Sequence, residues 1–139
     1  MASQRRHLAA LISLVALAAA CGCQTSERYQ GHSHTVATWQ GRTLRVALPD
    51  AVRVPGAHYA AVEALLARGY AIDLDEATAD RGHIVAREPD ASVLGGWRRV
   101  VVRTRLTPSD VGMSLSLEPV GDEVVARAIL DDVLRRLGL

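Results

Sequence analysis

The apolar positions of this chain change period several times, and each change predicts an element. Leu8 to Ala20 is apolar apart from Ser13, and Arg5 and Arg6 precede it. A helix needs about 20 apolar residues to cross a bilayer, so this run is too short to span one. Its charged, apolar and small-residue zones are those of a secretion signal, and residues 1–20 are therefore excluded from the fold. Gln24 to Thr38 has no apolar period and reads as a flexible tether, so that residues 21–38 precede the folded domain.

From Trp39 the period is two. Leu44, Val46 and Leu48 alternate with Thr43, Arg45 and Ala47, which predicts a half-buried strand closed by Pro49-Asp50. Helical spacing follows over Gly56–Arg68, where Tyr59, Val62, Leu65 and Leu66 predict the buried stripe, with Pro55 suited to the first turn and Gly69 to the stop. Tyr70, Ile72 and Leu74 alternate with Ala71, Asp73 and Asp75, a second strand with an acidic outer face. Gly82–Glu88 is a third strand, but its consecutive Ile84, Val85 and Ala86 allow either face to turn inward, and Pro89–Gly96 reads as a loop. Trp97–Leu106 has the clearest alternation, with Val100, Val102, Thr104 and Leu106 on one face and Arg99, Val101, Arg103 and Arg105 on the other. Met113, Leu115 and Leu117 alternate with Ser114, Ser116 and Glu118 in a fifth strand. The last helix opens at Val120-Gly121-Asp122-Glu123, whose carboxylates suit the positive end of the helix dipole. It is expected to bury Ala126, Ile129, Leu130, Val133 and Leu137 and to leave Arg127, Asp131, Asp132, Arg135 and Arg136 in water.

The resulting order is strand, helix, four strands, helix. It predicts an α+β fold over residues 39–139, a two-layer α/β sandwich with a mostly antiparallel sheet and two helices on one face. The other face, carrying arginines and serines, is expected to be open.

Charge narrows the partners. The 16 Lys and Arg against 15 Asp and Glu become 14 against 15 without Arg5 and Arg6, so the chain has no polyanion bias and nucleic acid is not an expected partner. Every one of these cations is arginine, and Lys, Asn and Phe are absent, a pattern that reads as GC-rich coding. Cys21 and Cys23 are the only cysteines and cannot build a disulfide framework. Ala18, Ala19 and Ala20 supply the small residues of a lipobox-like end, so Cys21 is the expected lipidated residue. Cys23 has Cys21 and Gly22 before it, a poorer match. The mature protein is then expected in the cell envelope, facing the periplasm or exterior, held to the membrane by lipid without spanning it.

Candidate chemistry is sparse. His32 and His34 lack a third ligand at fixed spacing, and the carboxylates Asp73, Asp75, Glu76 and Asp80 lack the loop that calcium requires, so no metal or cofactor is expected. His58 reads as a partly exposed structural histidine. Ser114 and Ser116 have no histidine at a suggestive position, and no phosphate loop or HExxH motif occurs, so no catalytic residue and no enzyme is predicted. Arg99, Arg103 and Arg105 form the one row with binding potential. They suit an anionic lipid headgroup, glycan or phosphate, or else cross-strand pairing with Asp73, Asp75 or Glu118.

The lipobox-like end, Gly41 at a strand entry, Leu65-Leu66-Ala67-Arg68-Gly69-Tyr70 at a helix end, and Gly121-Asp122-Glu123 followed by Ile129-Leu130 resemble a family of small bacterial lipoproteins known only as a domain of unknown function. The chain departs from that pattern at Ala126, where a serine is usual, and at Pro119-Val120. The resemblance implies a lipid-anchored envelope domain and brings no catalytic residues. The expected function is a non-enzymatic, lipid-anchored envelope protein that acts by contact with another envelope protein. The alternative is a module binding an anionic ligand on its arginine face.

Overall fold

A computed structural model describes residues 25–89 and 98–139. The expected lipidation site Cys21, its neighbour Cys23 and the signal lie outside the described residues. Seven strands form one antiparallel sheet: β1 (Thr25–Gln30), β2 (Thr35–Gln40), β3 (Thr43–Leu48), β4 (Ala71–Ala77), β5 (Arg81–Arg87), β6 (Arg99–Leu106) and β7 (Val111–Glu118). Helix α1 (Val54–Ala67) joins β3 to β4, and α2 (Glu123–Leu137) closes the chain. In space the order is β1-β2-β3-β7-β6-β5-β4. α1 therefore carries the chain past three strands to the far edge, and β3 and β4 are not neighbours. α1 lies over β4, β5 and β6, α2 lies over β1, β3 and β7, and the helices touch each other. The fold is an α+β sandwich with one covered and one open sheet face.

Two strands arise where a tether was expected. Thr25–Gln30 and Thr35–Gln40 form a hairpin whose second strand pairs Trp39 with Leu44 of β3. The domain thus begins by Thr25, before the expected start at Trp39. Its apolar signal is weak because β1 turns Ser26 and Gln30 toward α2, where they meet polar partners in place of a hydrophobic stripe. That partner is Arg127, expected in water and instead 8% exposed. Arg127 donates to Glu123 Oε1 at 2.8 Å, to Gln30 Oε1 at 3.1 Å and to the Ser26 carbonyl at 3.2 Å.

The core lies between the helices and the covered face. Leu44, Ile84, Leu115, Ile129, Leu130 and Leu134 are fully buried there, each contributing about 1.5–3 kcal/mol. The ends of α2 behave as its sequence suggests: the Asp122 carboxylate accepts from the Val125 N–H at 3.1 Å, and Arg135 and Arg136 stand in the last turn. α1 is rotated relative to expectation. Tyr59 and Leu66 are 66% and 48% exposed, while Ala57, Ala60, Ala61 and Ala64 form the contact with Val54 and Leu65. Alanines carry little hydrophobic weight in a periodicity argument, yet they let a helix approach a sheet closely.

β4 contains one irregularity of consequence. Ile72 faces Ala86 and Leu74 faces Val85, so Asp73 is an extra residue in the ladder. Beyond it every side chain changes side. Leu74, expected inside, turns to the open face, and Asp75, expected outside, joins Ile84 on the covered face.

Candidate functional site

Directly opposed residues in an antiparallel ladder share a face, so the open face can be assembled from register alone. One row runs Thr38–Arg45–Ser114–Arg103–His83 from β2 to β5. Beside it runs a second, Ala47–Gly112–Arg105–Arg81, across β3, β7, β6 and β5. The two rows line a concave groove of about 670 Å³. Four arginines from three strands converge on it: Arg45 from β3, Arg81 from β5, and Arg103 and Arg105 from β6.

The other end of the same face provides an internal comparison. Arg87 and Arg99 oppose each other across β5 and β6 just as Arg81 and Arg105 do. Arg87, however, lies 2.7 Å from Asp73 Oδ2, and Arg99 lies 2.7 Å from Glu118 Oε2. The hydrogen bond from Arg87 to Asp73, with the charge of that carboxylate, holds the guanidinium more firmly protonated than usual. Among the described residues, no carboxylate forms an ion pair with Arg45, Arg81, Arg103 or Arg105. Like charges directly opposed on a sheet repel, and at the Arg81–Arg105 pair that repulsion has no such local partner.

Three acidic groups stand near without lining the groove, the first being Glu27, opposite Thr38. Asp80 is turned to the Thr78 hydroxyl at 2.6 Å, and that bond is the main reason its carboxyl lies below the usual range, with Arg81 and Arg105 lesser contributors. Asp110 Oδ1 accepts from the Thr107 hydroxyl at 2.6 Å. His83 is half-buried, with its Nε2 shielded from solvent and lacking a hydrogen-bond partner. Ser114 lines the same wall, as does Thr38, whose hydroxyl donates to Glu27 Oε1 at 3.4 Å.

Of the three arginines expected to form a site, Arg103 and Arg105 belong to the groove. Arg99 does not: it is paired with Glu118, one of the two readings its sequence allowed. Arg45 and Arg81 come from β3 and β5, and only the strand order brings them beside β6. Ser114 is separated from His83 by the whole of β6, and the Ser116 hydroxyl is within 2.8 Å of Thr43 Oγ1. Among the described residues, neither serine has a histidine in hydrogen-bonding position.

His58 is buried at 6% exposure, not partly exposed. Its Nε2 lies 2.5 Å from Asp75 Oδ1, a pairing that the β4 bulge makes possible. His58 Nδ1 and Thr104 Oγ1, both lacking a partner, lie over Gly82, where an added Cβ would stand 2.4 Å from each. This cluster sits between α1 and the sheet, with the Asp75 side chain 50% exposed at its edge.

The Gly121-Asp122-Glu123 sequence has structural work to do. An added Cβ at Gly121 would stand 2.9 Å from Arg42 Cα, Asp122 caps α2, and Glu123 accepts from Ser26 and Arg127. Those two bonds, Ser26 first, hold the Glu123 carboxyl below its usual range. His32 and His34 lie in the β1–β2 turn, and no group of three His, Cys, Asp or Glu is placed to hold a metal among the described residues. No described helix is long and apolar enough to cross a membrane. No family model, curated protein or solved structure matches the chain.

Proposed function

We propose that this protein is a non-enzymatic envelope domain, anchored by lipid at Cys21, that recognises an anionic ligand through the arginine groove of its open sheet face. The observation that carries the reading is the contrast between two Arg–Arg pairs on one ladder. Arg87 and Arg99 each have a carboxylate, whereas Arg81 and Arg105 have none among the described residues and are joined by Arg45 and Arg103. Guanidinium groups bind oxyanions in bidentate fashion, and several converging on one groove suit a phosphate-like or carboxylate group. The anchor is read from the sequence. Four residue steps separate Cys21 from Thr25, which reach at most about 14 Å when extended. An acylated Cys21 therefore holds the domain close to the membrane surface.

Calorimetric titration with pyrophosphate tests the groove. The combined substitution Arg81→Gln, Arg103→Gln and Arg105→Gln should weaken binding by more than about tenfold, a loss of over about 1.4 kcal/mol, and should flatten its salt dependence. Arg99→Gln should leave binding unchanged. Equal loss from Arg99→Gln, or none from the triple variant, would remove the groove as the site.

A second reading, contact with another envelope protein, is favoured by β4. Among the described residues it is the terminal strand of the sheet and pairs only with β5, and most of its residues are exposed. A partner strand can add to such an edge. Crosslinking from β4 positions in native envelopes should capture one reproducible partner, and no such product would dismiss this reading.

A further inference from the structure

We infer that the groove takes a single-chain anionic amphiphile, an oxyanion head carried on one unbranched apolar chain. This inference rests on the anion-binding reading and adds what the anion is attached to. The row that holds Arg81 and Arg105 does not end at the arginines. Arg105 faces Gly112, Gly112 faces Ala47, Val36 lines the groove beside Ala47, and Tyr29 faces Val36. The charge therefore lies at one end of a row whose other members are apolar or lack a side chain. Tyr29 and Val36 are 72% and 46% exposed, large apolar groups that the fold itself leaves uncovered.

The dimensions select the ligand. Strands lie about 4.8 Å apart, so the four steps from Arg105 on β6 to Tyr29 on β1 span roughly 19 Å. That is close to the length of one acyl chain, since half of a ~30 Å hydrocarbon core is about 15 Å. Thr38, Arg45 and Ser114 form the polar row alongside, with same-face neighbours about 7 Å apart along a strand. The apolar shelf is thus one residue wide, enough for one chain and too narrow for two. Gly112 sits at its centre. An added Cβ there would meet Thr107 Cγ2 at 3.6 Å, an ordinary contact, and Gly112 lines the groove. The head takes the position between Arg81 and Arg105, and the chain crosses Gly112 and Ala47 toward Val36 and Tyr29.

The test is titration of the full-length protein with dodecyl phosphate below its micellar concentration, compared with inorganic phosphate and dodecyl maltoside. Dodecyl phosphate should bind at least about tenfold more tightly than phosphate, a difference of about 1.4 kcal/mol, and dodecyl maltoside should show no saturable binding. Gly112→Val, which fills the shelf, and Val36→Asp, which breaks its polarity, should each remove the advantage that dodecyl phosphate holds over inorganic phosphate. Arg81→Gln with Arg105→Gln should weaken both anions. If phosphate and dodecyl phosphate bind equally, the amphiphile is wrong and the anion site stands. If neither binds, both readings fall. Binding of dodecyl maltoside as tight as that of dodecyl phosphate would reduce the groove to an apolar patch and overturn the inference.

Discussion

Arg127 and Gln30 hold each other by two hydrogen bonds: Arg127 Nη1 donates to Gln30 Oε1 at 3.1 Å, and Gln30 Nε2 donates to the Arg127 carbonyl at 3.0 Å. The last helix is thereby fastened to the first strand across almost the whole chain. Gln30 Nε2 also reaches Asp131 Oδ1 at 2.9 Å. Replacing Arg127 with Leu keeps apolar bulk but leaves Gln30 and Ser26 without their charged donor. We expect a loss of about 2–3 kcal/mol, since hydrogen bonds to charged groups are worth about 1.5–3 kcal/mol. Urea unfolding measures the loss, and amide exchange should show it concentrated in β1 and β2. Arg135→Ala, whose side chain is 67% exposed, should change stability by no more than about 0.5 kcal/mol.

Gly82 and Gly112 both occupy strand interiors yet predict opposite outcomes. At Gly82 an added methyl would stand 2.4 Å from His58 Nδ1 and from Thr104 Oγ1, and must push α1 or β6 aside. Gly82→Ala should destabilise by about 1–3 kcal/mol, the usual cost of overpacking. Gly112→Ala meets only ordinary contacts and should be neutral or slightly stabilising. Thermal unfolding of the two variants makes the comparison.

Acid should weaken the β1–α2 joint. The Glu123 carboxyl lies below its ordinary value of 4.5 because Ser26 and then Arg127 hydrogen-bond to the ionised form. A carboxyl lowered in the folded state contributes stability that is present above its unfolded value and is lost as pH falls through the folded one. Wild-type urea midpoints measured between about pH 6 and pH 3 should therefore fall more steeply than those of Glu123→Gln. Parallel profiles would show that this carboxyl does not carry the effect.

The anchor has its own test. Intact mass of the protein from its native membrane fraction should match acylation at Cys21, and Cys21→Ser should abolish the added mass. An unmodified wild-type mass would indicate a free secreted domain and remove the membrane from the account.

Residues whose burial is apolar were legible in the sequence. Leu44, Val46 and Leu48, Val100, Val102 and Thr104 of β6, and the Ile129–Leu130–Val133 stripe all face the core as their periods indicate, while Leu106 at the end of β6, expected on the same face, is 50% exposed. Three features were hidden for physical reasons. β1 packs against an arginine, so its inward residues Ser26 and Gln30 look like those of a linker. The contact face of α1 is made of alanines, and the larger Tyr59 and Leu66 drew the stripe to the wrong side. The bulge at Asp73 inserts one residue and exchanges the two faces of β4, which no count of alternating positions reveals. The site was legible in part for a related reason. Arg103 and Arg105 share a strand and therefore share a pattern, whereas Arg45 and Arg81 reach the groove only through the strand order. Arg99 has the same pattern as its neighbours on β6 and differs only in having Glu118 opposite.

The most direct measurement is the arginine side-chain NMR spectrum, recorded through the Nε–Hε signals while pyrophosphate is added. The account predicts that the signals of Arg45, Arg81, Arg103 and Arg105 move together and saturate, while those of Arg87 and Arg99, held by Asp73 and Glu118, stay in place. Shifts spread evenly over all six, or confined to Arg87 and Arg99, would contradict it, as would a spectrum that does not change.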